Sequence, residues 1–158
     1  MKKDLLTENE VIEAVIKYLS TKGRTEVTRI VHKSDASKKK HGIDLQIKLA
    51  NARGRGNTYF IEAKGNKRAD GAPMRSSANT NFRWALSQII LRIRVDPRNY
   101  NYIYGIALPD SDARKAIKLI RDNWALRHLK IRLYGARHNE SGELEAIEYR
   151  PSDIYLKD

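Results

Sequence analysis

Three charged residues in two neighbouring stretches have the types and spacing that phosphodiester hydrolysis needs. They are Asp44 in Gly42-Ile43-Asp44-Leu45, and Glu62 and Lys64 in Ile61-Glu62-Ala63-Lys64-Gly65. Carboxylates are hard oxygen ligands suited to Mg2+ or Mn2+, and a nearby ammonium can steady a nucleophile or developing charge. On this view Asp44 and Glu62 bind the metal, the carbonyl oxygen of Ala63 adds a ligand, and Lys64 positions or activates the attacking water. Two anions held together repel, so a carboxylate pKa should rise in the metal-free site, partly relieved by Lys64. Spacing alone also allows a plainer account, in which Asp44, Gln46, Lys48, Glu62 and Lys64 form the solvated face of an amphipathic hairpin. An acid-x-lysine string by itself is common.

Convergence of the three requires strands. Ile43, Leu45, Ile47 and Leu49 alternate with Asp44, Gln46 and Lys48, and Tyr59, Ile61 and Ala63 share one face of the stretch 58–64. Period-two geometry sets Glu62 and Lys64 on the opposite face, and a hairpin closed by a turn at 51–57 brings Asp44 beside them. Upstream, Thr7 and Glu10 have capping-box spacing ahead of a helical stripe made by Val11, Ile12, Val15, Ile16 and Leu19, which stops before Gly23. At about 100° per residue Glu8 projects along that stripe, while Glu10 points away from it and suits the capping box. Glu8 is therefore a candidate for an extra acidic residue at the metal; simple stabilisation of the helix N-terminus is its other explanation.

Residues 26–32 alternate only loosely, whereas Phe82, Leu86, Ile89, Ile90 and Ile93 predict a second helix closed by Pro97. On that helix Gln88 shares a second stripe with Trp84 and Leu91, facing the active-site cleft, a twin subunit, DNA or solvent. The apolar stretch 102–108, bounded by Pro109, predicts a strand buried on both faces. Ser111 is expected to cap a third helix carrying Ala113, Ala116, Ile117, Ile120 and Trp124, with edge strands around Ile131 and Leu133 and over 144–149. This order predicts one α/β domain spanning 1–158, with helices around a mixed sheet.

The net charge is +12, and residues 22–100 hold 18 basic and 6 acidic side chains, which accounts for the whole excess. So concentrated a positive field favours nucleic acid as partner. Lys38, Lys39, Lys40 and His41 suit a phosphate-contacting loop, and Arg53 and Arg55 flank a glycine in the hairpin turn. Lys67, Arg68 and Arg75 lie in the glycine-, serine- and asparagine-rich stretch 65–81, either a flap over a bound backbone or an ordinary surface loop. The basic residues do not line one helix face, which disfavours a membrane surface. With no cysteine, disulfides and thiolate zinc sites are excluded. Early acidic residues and the lack of a long apolar run deny a signal peptide and a membrane span, so a cytoplasmic protein is expected. No phosphate-binding glycine motif, zinc-spaced histidine pair or serine nucleophile elbow occurs.

With Glu8, Asp44, Glu62, Lys64 and Gln88 in hand, the chain resembles the PD-(D/E)xK, or restriction-endonuclease-like, nucleases, particularly the small Mrr-like and archaeal Holliday-junction-resolvase-like domains. The likeness runs through Thr7-Glu8-Asn9-Glu10-Val11, Gly42-Ile43-Asp44, Ile61-Glu62-Ala63-Lys64-Gly65, Ala85-Leu86-Ser87-Gln88-Ile89 and Gly105-Ile106-Ala107-Leu108-Pro109. It implies an αβββαβ core with a mixed central sheet flanked by helices, and magnesium-dependent cleavage of double-stranded or branched DNA. It also implies site roles for Glu8 or Glu10, Asp44, Glu62, Lys64 and Gln88. Ile43 stands where the family name places proline. The likeness does not choose between restriction, repair and junction resolution. A homodimer with two sites on two strands is one expected assembly. A nucleic-acid-binding module, or a non-catalytic subunit with the same fold, is the alternative to an enzyme.

Overall fold

The computed structural model describes residues 5–30, 44–50, 56–93, 101–121 and 123–154. Helix α1 (Glu8–Ser20) opens on the capping box: the Thr7 side chain accepts from the Glu10 N–H at 3.2 Å, and the Glu10 carboxylate accepts from the Thr7 N–H at 2.6 Å. Its stripe of Val11, Ile12, Ala14, Val15 and Leu19 is buried.

Among the described residues six strands follow, β1 (Arg24–Ile30), β2 (Leu45–Ala50), β3 (Gly56–Ala63), β4 (Tyr102–Pro109), β5 (Arg132–His138) and β6 (Leu144–Tyr149), and they lie in chain order in one mixed sheet. The β3–β4 and β4–β5 pairs are parallel and the other three antiparallel. Parallel neighbours need crossovers, supplied by α2 (Ala78–Ile90) and then by α3 (Asp110–Ile120) with α4 (Trp124–Leu129). Two successive crossovers in the same direction deliver α2 and α3 to one face, leaving α1 to cover the other; a last turn, α5 (Pro151–Ile154), follows β6.

Each face has its own core. Leu45, Ile47, Tyr59, Ile61 and Ala63 pack with α1, while Ile106 and Leu108 pack with Phe82, Ala85 and Ile89 of α2 and Ala113 and Ala116 of α3. Because side chains alternate along β3, Ile61 belongs to the α1 core and Glu62 is left on the α2 face, only 1% exposed. Each fully buried Leu or Ile contributes roughly 1.5–3 kcal/mol, so the flanking apolar rows can offset a buried charge that would otherwise not be tolerated. Among the described residues, no helix is long and apolar enough to cross a membrane.

Several local expectations need correction. The loose alternation after Arg24 is a register shift between Val27 and Arg29 that leaves Val27 38% exposed. Strand β3 starts at Gly56, inside the expected turn, because Gly56 pairs with Ala50. The expected third helix is two helices. Pro109 stands at the N-cap of α3 and no side chain caps it, so Ser111 does not; Trp124 belongs to α4, whose Leu126 N–H is accepted by Asn123 at 3.0 Å. Helix α2 begins at Ala78, capped by Ser77, and so shortens the expected loop. Ile43, the expected turn residues 51–55 and Pro97 lie outside the described residues.

Candidate active site

The hairpin register, with Leu45 opposite Ile61, sets Asp44 across from Glu62 at the end where β2 begins and β3 finishes. Asp44 Oδ2 accepts from the Ala63 N–H at 2.9 Å, which fixes the carboxylate at the strand end. Lys64 is the first residue beyond β3, and its N–H donates to the Ala107 carbonyl at 2.9 Å. Its ammonium lies within reach of four oxygens: it donates to Glu62 Oε1 at 2.6 Å, the Ala63 carbonyl at 2.8 Å and Asp44 Oδ2 at 3.3 Å, with Glu8 Oε2 at 3.9 Å. The four residues expected to ligate a metal thus surround a single cation, the protein's own. Lys64 is 8% exposed and Asp44 1%.

A close backbone approach brings Glu8 there. A Cβ at Gly65 would lie 2.5 Å from the Glu8 nitrogen and 2.6 Å from the Thr7 carbonyl carbon, so only glycine lets the chain beyond Lys64 abut the start of α1. Asn66 secures the contact, accepting from the Leu6 N–H at 2.9 Å while its own N–H donates to the Leu6 carbonyl at 2.9 Å. Glu8 then faces Lys64, whereas Glu10 is occupied by Thr7 and by Lys67 at 3.1 Å.

Helix α2 and the turn that follows it supply the other wall. With its amide nitrogen turned to the carboxylate, Gln88 donates to Glu62 Oε2 at 3.3 Å and contacts Oε1, and Arg92 donates to Oε2 at 2.8 Å. The other members of the Gln88 stripe, Trp84 and Leu91, are 62% and 86% exposed. Arg92 went unnoticed in the sequence, although its place four residues after Gln88 put it on the same helical side. Asn81, which donates to the Gly65 carbonyl at 3.1 Å, and Asp112, 3.5 Å from the Asn66 amide, were also missed. Nothing in the sequence separates such residues from solvated ones.

Burial, then the neighbouring Asp44, pushes the Glu62 carboxyl above its ordinary range, and Lys64 offsets part of the rise, as expected for crowded anions. Burial alone would lower the Lys64 pKa, but Asp44, Glu8 and Glu62 together outweigh it and raise it. The lysine is therefore held as a cation.

Of the residues expected to touch nucleic acid, Lys38, Lys39, Lys40, His41, Arg53 and Arg55 lie outside the described residues. Lys67 pairs with Glu10, Arg68 pairs with Asp70 at 3.0 Å, and Arg75 is exposed. Among the described residues, no group of three or more His, Asp or Glu side chains is arranged to hold a metal ion, since Lys64 stands between Glu8 and the Asp44–Glu62 pair. Compared with known protein families, with curated proteins and with solved structures, the chain matches none.

Proposed function

We propose that the chain is a metal-dependent DNA endonuclease of the PD-(D/E)xK type, with the αβββαβ core of that superfamily. One observation carries this: Glu8 Oε2, Asp44 Oδ2, Glu62 Oε1 and the Ala63 carbonyl all lie between 2.6 and 3.9 Å from one buried cationic nitrogen. The donors are oxygen only, with two carboxylates and a carbonyl closest, and this suits Mg2+ or Mn2+, which need one or two carboxylates and keep several waters. Asp44, Glu62 and Ala63 would hold the ion, with Glu8 facing it from α1. Bound there, it would supply Lewis-acid polarisation and a more acidic water.

The chain's own residues do the rest. Gln88 and Arg92 hold Glu62 in one orientation, and the Ala63 N–H does the same for Asp44. With the ion held by those oxygens, Lys64 would turn its positive charge to the nucleophile or to charge developing on phosphate, in a site dry enough for that charge to act strongly. Of a panel of supercoiled, linear and four-way DNA incubated with Mg2+ or Mn2+, the wild type should cut at least one form, and Glu62→Ala and Lys64→Ala should spare it; cleavage that survives both changes refutes the proposal. A homodimer would set two such sites against two strands.

A nucleic-acid-binding module without turnover is favoured by the fact that Lys64 already fills the oxygen set. It predicts salt-sensitive DNA binding that ignores divalent ions, with Asp44→Ala leaving affinity unchanged or improved.

A further inference from the structure

The acidic site is one end of a longer strip of sheet. Stepping back along β3 from Glu62 on the same face come Phe60 and then Thr58. Beside Phe60 in register stand Gln46 and Tyr104, and beside Thr58 stand Lys48 and Tyr102. Helices α2 and α3 cover the end holding Glu62, Ile106 and Leu108, whereas Phe60, Tyr102 and Tyr104 are only half-buried and Lys48 is exposed. The Phe60 ring meets Tyr102 edge-on with centroids 5.2 Å apart and stacks on Tyr104 at 5.5 Å with 22° between the planes. Past this cluster the row of Thr58, Lys48 and Glu26, with Arg24 beyond it, lines an open cleft of about 480 Å3.

Half-buried aromatic rings beside basic side chains, in a chain of net charge +12, match the chemistry of a nucleotide: a π-system for the base and cations for the phosphates. A base inside a duplex offers only its edges in the grooves, so a ring platform can engage only one that is unpaired or turned out of the stack. Phe60 and Glu62 are two residue steps apart on β3, about 7 Å, so such a base would sit close to a phosphate at the acidic site. Glu26, opposite Lys48 in register, would repel a phosphate and so marks the outer limit of the strip.

We propose that this open face binds an unpaired nucleotide of the DNA strand beside the scissile phosphate, its base stacked on Tyr102 with its edge against Phe60 and its backbone drawn by Lys48. The inference rests on the nuclease proposal for the identity of the polymer, and it narrows the substrate to DNA with single-stranded character at the cut.

The test is fluorescence anisotropy of the full chain, in chelator so that nothing is cleaved, with labelled oligothymidine and a blunt duplex of equal length. Phe60→Leu and Tyr102→Leu should each weaken single-strand binding by at least about fivefold, within the roughly 5- to 150-fold range of aromatic–base stacking, while changing duplex binding less than about twofold. A 2-aminopurine placed in the single strand should be quenched on binding wild type and recover with Tyr102→Leu. Equal losses on both DNAs, no loss on either, or an unquenched 2-aminopurine on wild type would overturn the platform; the last measurement needs no variant. Single-strand binding of the expected kind without cleavage in Mg2+ or Mn2+ keeps the platform and removes the nuclease. Cleavage without single-strand preference does the reverse.

Discussion

Replacing Lys64 by methionine, which keeps much of the stem and deletes the charge, strikes the buried site directly. The ammonium donates to Glu62 at 2.6 Å, to the Ala63 carbonyl at 2.8 Å and to Asp44 at 3.3 Å, so its loss leaves two buried carboxylates facing each other. Removing one partner of a buried ion pair costs about 3–5 kcal/mol. Arg92 and Gln88 still hold Glu62, which places the expected loss near the lower figure, about 3 kcal/mol. At roughly 2–4 °C per kcal/mol for a chain of this size, Tm should fall by about 6–12 °C. Urea denaturation and thermal melts in chelator at neutral pH measure this, provided unfolding is two-state. Adding Glu62→Gln removes one of the repelling anions and should recover at least about 1 kcal/mol as a coupling energy. The pH sign follows from Glu62, whose pKa is raised in the folded state above its ordinary 4.5. Its ionised form therefore opposes folding, a penalty absent below the unfolded value and complete once pH has risen through the folded one. The deficit of the variant should thus shrink on acidification towards pH 4.5. A loss under about 1 kcal/mol, or no recovery in the double variant, would refute the buried three-oxygen arrangement.

Three further outcomes follow from neighbouring contacts. Gly65→Ala forces a Cβ against the Glu8 backbone at 2.5 Å and should cost about 1–3 kcal/mol by denaturation, with cleavage lost through displacement of α1. Gln88→Ala and Arg92→Gln free the Glu62 carboxylate, and each should raise the Mn2+ concentration giving half-maximal cleavage by about 10- to 100-fold. Burial works against Glu10, but Thr7 and Lys67 lower its pKa overall, so its contribution is present above the unfolded value near 4.5 and lost as pH falls through the folded one. Glu10→Ala should therefore cost about 1 kcal/mol at neutral pH and progressively less in acid, as read by urea titration at several pH values.

Much of the frame is legible residue by residue, because periodicity and capping are local. Thr7 and Glu10 make their box, Leu45 and Ile47 alternate into the α1 core, and the order of helices and strands carries through to a mixed sheet flanked by helices. Errors fell where a local rule met a tertiary demand. Trp124 continues the spacing of α3 yet starts another helix, and the loose alternation after Arg24 reflects a register shift between Val27 and Arg29.

From the sequence alone came the residue types, the shared face of Asp44, Glu62 and Lys64 and the candidacy of Glu8, since strand and helix periods are written into neighbouring residues, whereas Gln88 joined them only through the family resemblance. Tertiary structure alone decided that Glu8 and not Glu10 meets Lys64, that the ammonium sits among the oxygens, that Arg92 joins Gln88 on Glu62, and that Phe60 stays partly uncovered. Those outcomes depend on how closely two backbones approach, as at Gly65 and Glu8, and on which helices lie over which end of the sheet. Such distances are set by packing between segments far apart in the chain, and no stretch of sequence encodes them by itself.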